Sequence, residues 1–163
     1  MSIGSTTGAE LYRPNAAIIY QRSNGDVLVC ERKRPAGAWQ FPQGGIRRGE
    51  SAQDAACREG MEETGFRPNE YIVVAEHGPY RYNYPPAERE RVLRKRGIPY
   101  AGQEQRYFLC RMNDDTAEPW LDNKEFCSYR WIQPAEFDLG TLPGFKRDVY
   151  SQVLKDFFGV EKS

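Results

Sequence analysis

Histidine, net charge and long apolar runs are all scarce in this chain of 163 residues. The single histidine, His77, excludes a histidine-rich zinc site and leaves one imidazole for a serine or cysteine nucleophile. The 23 Lys and Arg residues balance the 23 Asp and Glu residues, which argues against coating nucleic acid by bulk charge. No apolar run approaches the roughly 20 residues of a membrane span. The N-terminal residues also lack the basic start and apolar run of a signal peptide. We therefore expect no membrane partner and a cytoplasmic location.

Length and composition predict one folded domain. With 39% hydrophobic and 28% charged residues, the chain has enough apolar side chains for a core. The four cysteines are too widely spaced for a C-x-x-C motif, which excludes a zinc ribbon or a thioredoxin-like site. We expect reduced, mostly buried thiols at Cys30, Cys57, Cys110 and Cys127.

Hydrophobic patterning predicts an α/β fold in which a mixed sheet has helices on both faces. Strands are predicted at residues 15–22, 26–32, 71–76, 105–111 and 127–132, helices at 51–64 and 145–158, and a loop at 35–45. Asn24-Gly25 predicts a hairpin between the first two strands. Ser51 is the expected N-cap of the first helix, and Gly65 its expected end. We expect residues 1–11 to form a flexible N-terminal segment.

Residues 78–103 differ in composition from the rest of the chain. They are rich in Pro, Tyr and Arg and carry a charge run between Glu88 and Arg96. We expect a long loop or insertion that contains one short helix. Two roles fit it: a solvated charged excursion, or a substrate-facing element on which the basic run at 89–96 contacts phosphates.

Residues 44–66 carry the densest chemistry. On a helix, Glu59, Glu62 and Glu63 fall at i, i+3 and i+4, so their carboxylates share one face. Arg58 is the only nearby base, and like charges at this spacing repel each other. Crowded carboxylates of this kind suit a hard divalent cation, Mg²⁺ or alternatively Mn²⁺. From these three glutamates alone, the alternative to a metal site is an acidic helix on the protein surface.

The loop before this helix favours the metal interpretation. Gly44 and Gly45 allow a ligand to approach the backbone closely. Glu50 lies at the helix N-terminus, where the dipole favours an acid, and Arg47 and Arg48 can contact phosphate oxygens. Carboxylates, metal and arginines together suit phosphorus chemistry, in which the metal neutralises developing charge and water attacks.

The same residues resemble the Nudix box, G-x5-E-x7-R-E-U-x-E-E-x-G-U, where U is a bulky apolar residue. The matching positions are Gly44, Glu50, Arg58, Glu59, Glu62, Glu63, Gly65 and Phe66. Gly60 departs from the pattern at the first U, which costs about 1 kcal/mol of helix propensity relative to Ala. Because the acids are intact, this departure concerns helix stability more than chemistry. A nucleotide-binding module with an impaired box is the alternative that it leaves.

The resemblance extends over residues 12–160. The segments YRPNAAIIY, WQFPQGG, GQEQRYF, KEF and FKRDVY are similar to the branch that contains bacterial RNA pyrophosphohydrolases and plant-type asymmetric dinucleoside tetraphosphatases. The resemblance implies a single Nudix domain, an α/β/α sandwich with a central mixed β-sheet. It implies a metal-dependent pyrophosphohydrolase that converts 5′-triphosphate or diphosphate RNA ends to 5′-monophosphate. Asymmetric hydrolysis of dinucleoside tetra- or pentaphosphates is the alternative, and no protein partner is implied.

The resemblance also implies catalytic roles. Metal ligands are expected at Glu59, Glu63, the Gln43 carbonyl and Glu125, with Glu62 close by. Either Glu62 or Glu125 would take the proton from a metal-polarised water. Arg58 would pair with box carboxylates and hold the loop against the helix.

Substrate contacts are implied at a further set of positions. They are Arg32, Gly44, Gly45, Gln105, Tyr107, Phe145, Lys146 and Tyr150. Arg32 and Phe145 would sandwich a nucleobase, and packing at a helix start is the alternative role of Phe145. Arg81, Tyr82 and Arg147 are further candidate phosphate contacts.

Overall fold

The computed structural model describes residues 9–162. Most of the predicted flexible segment, residues 1–8, therefore lies outside the described residues. The strands are β1 Leu11–Gln21, β2 Val27–Arg32, β3 Trp39–Gln40, β4 Gln43–Gly45, β5 Tyr71–Asn83, β6 Tyr100–Met112 and β7 Phe126–Ile132. The α-helices are α1 Ala52–Thr64, α2 Pro86–Arg96 and α3 Gly144–Phe158, and short 3₁₀ turns lie at Pro68–Glu70, Pro134–Glu136 and Leu139–Thr141.

The strands form one mixed sheet, as predicted. Its main order is β3-β2-β1-β6-β5, with β4 paired to β1 and β7 paired to β2. The central pair, β1 and β6, is parallel, and the other pairs are antiparallel. Both faces of β1 are therefore available for helices.

The central strand divides the core into two layers. Along β1, Ala16, Ile18 and Tyr20 pack with the buried side of α1. Ala17 and Ile19 point to the opposite face, where they pack with residues of α3. This alternation follows from the two-residue period of a strand. It confirms the predicted sandwich with helices on both faces of the sheet.

Helix α1 begins and ends where the sequence predicts. The Ser51 hydroxyl accepts a hydrogen bond of 3.1 Å from the Asp54 N–H, which is an N-cap contact. Gly65 adopts a φ of 78° and donates its N–H to the Met61 carbonyl, a conformation that glycine reaches without steric cost. These caps fix the register of the helix that carries the box glutamates.

Gly60 lies where α1 touches the sheet, and the helix continues through it without a break. A Cβ at this position would lie 3.0 Å from Ile18 Cγ2 and 3.1 Å from Tyr20 Cζ. The hydroxyl oxygen of Tyr20 would be closer still. The tyrosine therefore fills the space that a bulky residue at position 60 would need.

The structure contradicts a long loop at 78–103 but contains one short helix there, as expected. Strand β5 continues to Asn83 and pairs with β6, which begins at Tyr100, so the two strands form a long antiparallel pair whose connection contains α2. Pro86 in the first turn and Gly97 after the last turn delimit α2. The charge run that suggested a loop is instead a set of ion pairs along the helix.

Two shorter differences concern β3 and β4, which lie within the predicted loop at 35–45. Both are two or three residues long, which is too short for a periodic pattern to reveal. Within residues 9–162, no helix is long and apolar enough to cross a membrane.

Candidate active site

A cavity of about 270 Å³ lies between α1, α2 and the sheet. Its acidic wall consists of Glu59, Glu63 and Glu125 together with Gln43, Gly44 and Gly45, and a fourth lining carboxylate, Glu88, pairs with Arg91. Its basic wall consists of Arg13, Arg32, Arg91, Lys95, Arg96 and Lys146. A charged ligand with separate metal-bound and anionic parts fits such a division.

Glu59 and Glu63 lie one turn apart on α1 and form the centre of the acidic wall. Glu63 is almost completely buried, and its Oε1 accepts a hydrogen bond of 3.3 Å from the Gln43 N–H. Burial, and then the carboxylates of Glu59 and Glu125, raise the pKa of Glu63 well above its usual range. Glu63 forms no ion pair with any described residue. Such a carboxyl group needs either a proton or a cation.

The donor set fits a hard divalent cation. The carboxyl group of Glu59 lies directly over Gly44, where a Cβ would overlap it, so carboxylate and backbone come within contact distance. Across residues 9–162, no three acidic, cysteine or histidine side chains are grouped closely enough to hold a metal by themselves. A cation here would also need backbone oxygens, water or substrate phosphates, which is the usual binding mode of Mg²⁺.

Arg58 joins the box loop to the helix. Its Nε donates to Glu50 Oε2 at 2.8 Å, and its Nη2 donates to the Gly45 carbonyl at 2.9 Å. Its Nη1 lies 2.9 Å from Glu59 Oε1. The hydrogen bonds from Arg58 lower the pKa of Glu50 to about 2. These are the contacts that we expected of Arg58, with Glu50 as its principal partner.

The two candidate bases occupy different places. Glu125 lies in the cavity wall, with its Oε1 3.9 Å from Arg32 Nη2. Glu62 faces an adjoining recess that shares Glu59 and Gly45 with the cavity, and it lies there 3.4 Å from Arg58 Nη1 and 3.9 Å from Arg47 Nη2. Although Glu62 belongs to the same helical face in sequence, its side chain does not line the cavity.

The basic wall contains one strongly perturbed group, Lys146. Its side chain is buried in the first turn of α3. Burial, and then the charge of Arg32, lower the pKa of Lys146 to about 8. A phosphate placed beside this ammonium would restore its charged form.

Sequence reasoning missed one cation of this wall, Arg13, whereas Lys95 and Arg96 belong to the basic run at 89–96 that was a candidate for phosphate contact. Arg13 lies so close to Gly45 that a Cβ there would overlap its guanidinium. The pairing of β1 with β4 creates this contact. In the sequence, only the Gly44-Gly45 pair indicates that another group comes close to the backbone here. Lys95 and Arg96 reach the cavity because α2 folds back over it.

Several predicted substrate contacts lie behind the cavity wall. Gln105 is buried and donates from Nε2 to Gln43 Oε1 at 2.6 Å. The Tyr107 hydroxyl donates to Gln105 Oε1 at 2.9 Å, and the Tyr150 hydroxyl accepts from the Phe41 N–H at 3.1 Å. The rings of Tyr107 and Tyr150 are enclosed in the core, and neither residue lines the cavity.

The aromatic part of the cavity is formed by two tyrosines. Tyr82 and Tyr84 line it, and Phe145 packs against them with ring centroids 5.5 and 6.2 Å away. Phe145 thus packs at the start of α3, and its stacking on a nucleobase stays a prediction. Two other candidate phosphate contacts point elsewhere: Arg81 pairs with Glu104 at 3.0 Å, and Arg147 donates to the Leu142 carbonyl at 3.1 Å.

Fold and site together identify the class. A model of the NUDIX domain matches residues 11–153, and the chain therefore belongs to the Nudix family of hydrolases. These enzymes generally need divalent cations.

Two named relatives are similar to this chain over about 90% of its length. An RNA pyrophosphohydrolase from Cellvibrio japonicus is 38% identical over 91% of this chain and 87% of its own length. Nudix hydrolase 25 from Arabidopsis thaliana is 36% identical over 90% of this chain and 86% of its own. The dihydroneopterin triphosphate pyrophosphohydrolase of E. coli has a similar fold, with a TM-score of 0.66 and 17% identity over 91% of this chain and 97% of that one. The C. elegans Ap4A hydrolase binary complex has a TM-score of 0.57 and 19% identity, covering 75% and 80% of the two chains.

Proposed function

We propose that this protein is a divalent-metal-dependent pyrophosphohydrolase that converts 5′-triphosphate or diphosphate RNA ends to 5′-monophosphate. The observation that carries the proposal is the cavity whose lining combines the Glu59–Glu63 pair with six cations. The relatives named RNA pyrophosphohydrolase, which match nearly the whole chain, favour RNA as the substrate.

Glu59 and Glu63 would hold the metal, together with the Gln43 carbonyl and Glu125. The cation, Mg²⁺ or alternatively Mn²⁺, would polarise a water and neutralise charge on the phosphates. Glu63 would then be fully ionised, because the cation offsets the burial that now raises its pKa. Arg58 keeps the loop and helix in register through Glu50 and the Gly45 carbonyl.

We assign the proton acceptor to Glu125. The assignment is based on position, because Glu125 lines the cavity. Glu62 does not line it and instead lies within ion-pair distance of Arg58 and Arg47. A general base must reach the attacking water in the bound complex. Glu125 also lies on an exposed loop beside Arg32, so it can deliver the proton to solvent after the step.

The basic wall would bind the phosphates on the side of the leaving group. Arg13, Lys95 and Arg96 provide charge without a carboxylate partner in residues 9–162. Lys146 and Arg32 complete the basic lining, and Tyr82 and Tyr84 line the same cavity, where their rings would contact the first base. Stacking of this kind tolerates different bases.

The test compares two substrates in the presence of Mg²⁺. Pyrophosphate or phosphate release from triphosphorylated RNA should exceed product formation from diadenosine tetraphosphate at equal concentrations. Glu63→Gln should abolish turnover with the fold retained, while the matched variant Glu161→Gln, at an exposed position of the C-terminal region, should keep it.

The outcomes separate the alternatives. Preferred cleavage of the dinucleotide would replace RNA by dinucleoside polyphosphates as the substrate. Nucleotide binding without hydrolysis of either compound would favour a binding module with an impaired box. Full activity of Glu63→Gln would refute the metal assignment.

A further inference from the structure

A second recess, of about 240 Å³, opens beyond the cavity and shares Arg32 and Glu125 with it. Its other lining residues are Lys33, Arg34 and Lys124. We call these five residues the basic groove. Four cations and one carboxylate give it a strong positive potential directly at the mouth of the cavity.

The cations of the groove are available to a ligand. Lys33, Arg34 and Lys124 are exposed, and none of them forms an ion pair with a described residue. Arg32 is 3.9 Å from Glu125, a long contact that leaves most of its donors unused. An anion that enters the groove therefore does not have to displace carboxylates from these side chains.

Helix α2 offers the contrasting case. Arg91 pairs with Glu88 at 2.6 Å and Arg94 with Glu90 at 2.9 Å, both within the helix. Arg89 pairs with Glu10 at 3.1 Å. A strand of phosphates along the outer side of this helix would have to compete with these three carboxylates.

The groove is held open by hydrogen bonds between its walls. The Lys33 N–H donates to the Glu125 carbonyl at 2.9 Å. Lys33 Nζ donates to the Asn123 carbonyl at 3.0 Å. The end of β2 and the loop before β7 are thus tied together, so that the cations keep their spacing before a ligand arrives.

We propose that the basic groove binds the phosphodiester backbone of an RNA strand on the 3′ side of its first nucleotide. This inference rests on the proposed function, since it assumes that the 5′ end occupies the cavity. Arg32 and Glu125 belong to both spaces, so a strand leaving the cavity passes into the groove without crossing other walls. A dinucleoside polyphosphate has no phosphodiester linkage at this place, and the groove would therefore favour RNA over it.

The test measures binding of reaction products, which needs no hydrolysis. The probes are 3′-labelled, 5′-monophosphorylated oligoribonucleotides of two and five nucleotides, followed by fluorescence anisotropy. The wild type should bind the pentanucleotide more tightly than the dinucleotide. Lys33→Gln/Arg34→Gln/Lys124→Gln should weaken pentanucleotide binding about tenfold, because each exposed ion contact contributes a small factor. Its log affinity should also fall less steeply with log salt, by about 0.7 for each phosphate that the protein no longer neutralises.

The matched control removes three exposed cations elsewhere, Arg67→Gln/Arg111→Gln/Lys155→Gln, and should bind the pentanucleotide like the wild type. Equal weakening in both triple variants, or a larger loss in Arg89→Gln/Arg94→Gln, would overturn the groove assignment. Thermal unfolding checks that each variant folds. Failure of the wild type to hydrolyse triphosphorylated RNA would refute the proposed function separately, since the binding assay uses a product.

Discussion

Replacing Gly60 by alanine tests whether Tyr20 explains the glycine in the box. An alanine Cβ would meet Ile18 Cγ2 at 3.0 Å and Tyr20 Cζ at 3.1 Å, with the tyrosine hydroxyl oxygen closer than either. Overpacking of a core in this way costs about 1–3 kcal/mol. Alanine offsets about 1 kcal/mol of this by its higher helix propensity. Gly60→Ala should therefore lower the free energy of unfolding by about 1 kcal/mol.

The second half of the test uses Tyr20→Phe, which removes the atom that alanine would meet first. The Tyr20 hydroxyl has no hydrogen-bond partner among the described residues, so its removal alone should change stability little. In the Tyr20→Phe background, Gly60→Ala should be neutral or stabilising. The double-mutant cycle should then show a coupling of about 1–2 kcal/mol.

Urea and thermal unfolding in the presence of a chelator measure this coupling. For a domain of this size, about 1 kcal/mol corresponds to a shift in Tm of about 2–4 °C. Because Gly60 lies between Glu59 and Glu63, hydrolysis by Gly60→Ala should also fall and recover with Tyr20→Phe. An equal loss of stability in both backgrounds would refute the explanation.

The remaining predictions concern charge. The pKa of Lys146 is about 8 in the native state and 10.5 in the unfolded state, so between these values the unfolded state holds a proton that the native state has lost. The free energy of unfolding should therefore rise with pH across that interval. Lys146→Met should remove this slope in unfolding experiments and weaken substrate binding. Glu63 has the opposite sign: its raised pKa means that the metal-free protein should lose stability as pH rises above 4.5, and Glu63→Gln in chelator should abolish that loss. Glu50, with a pKa of about 2, should contribute stability that disappears as pH falls below 4.5, an effect absent in Glu50→Gln. Arg58→Lys should reduce Tm and kcat/KM together, because lysine cannot bridge Glu50 and the Gly45 carbonyl; an unchanged kcat/KM would contradict its positioning role.

The acidic half of the site could be predicted from sequence because it is local. Glu59 and Glu63 are brought together by the helical repeat alone, and Ser51 and Gly65 mark the ends of that helix. Glu62 shows the limit of the same reasoning. The period places it on the shared face, but its carboxylate lies beside Arg58 and Arg47 in the adjoining recess and does not line the cavity.

The basic half depends on contacts between distant segments. Arg13 reaches the cavity only through strand pairing, and Lys95 only through the folding of α2 over the sheet. The charge run that contains Lys95 looked like a loop because ion pairs at i+3 and i+4 stabilise a helix without an apolar stripe. Tyr150 was predicted as a substrate contact because of its hydroxyl group. The sequence does not show that its ring stacks on Phe41 in the core.

The position of α2 in the connection between β5 and β6 has a consequence for substitutions on this helix. Val92 is the only residue of α2 that is buried, so most substitutions on this helix leave the packing between α1 and the sheet intact. The helix nevertheless supplies three of the six cations that face the Glu59–Glu63 pair. A mutation there can change which polyphosphate is accepted while the hydrolytic apparatus stays constant.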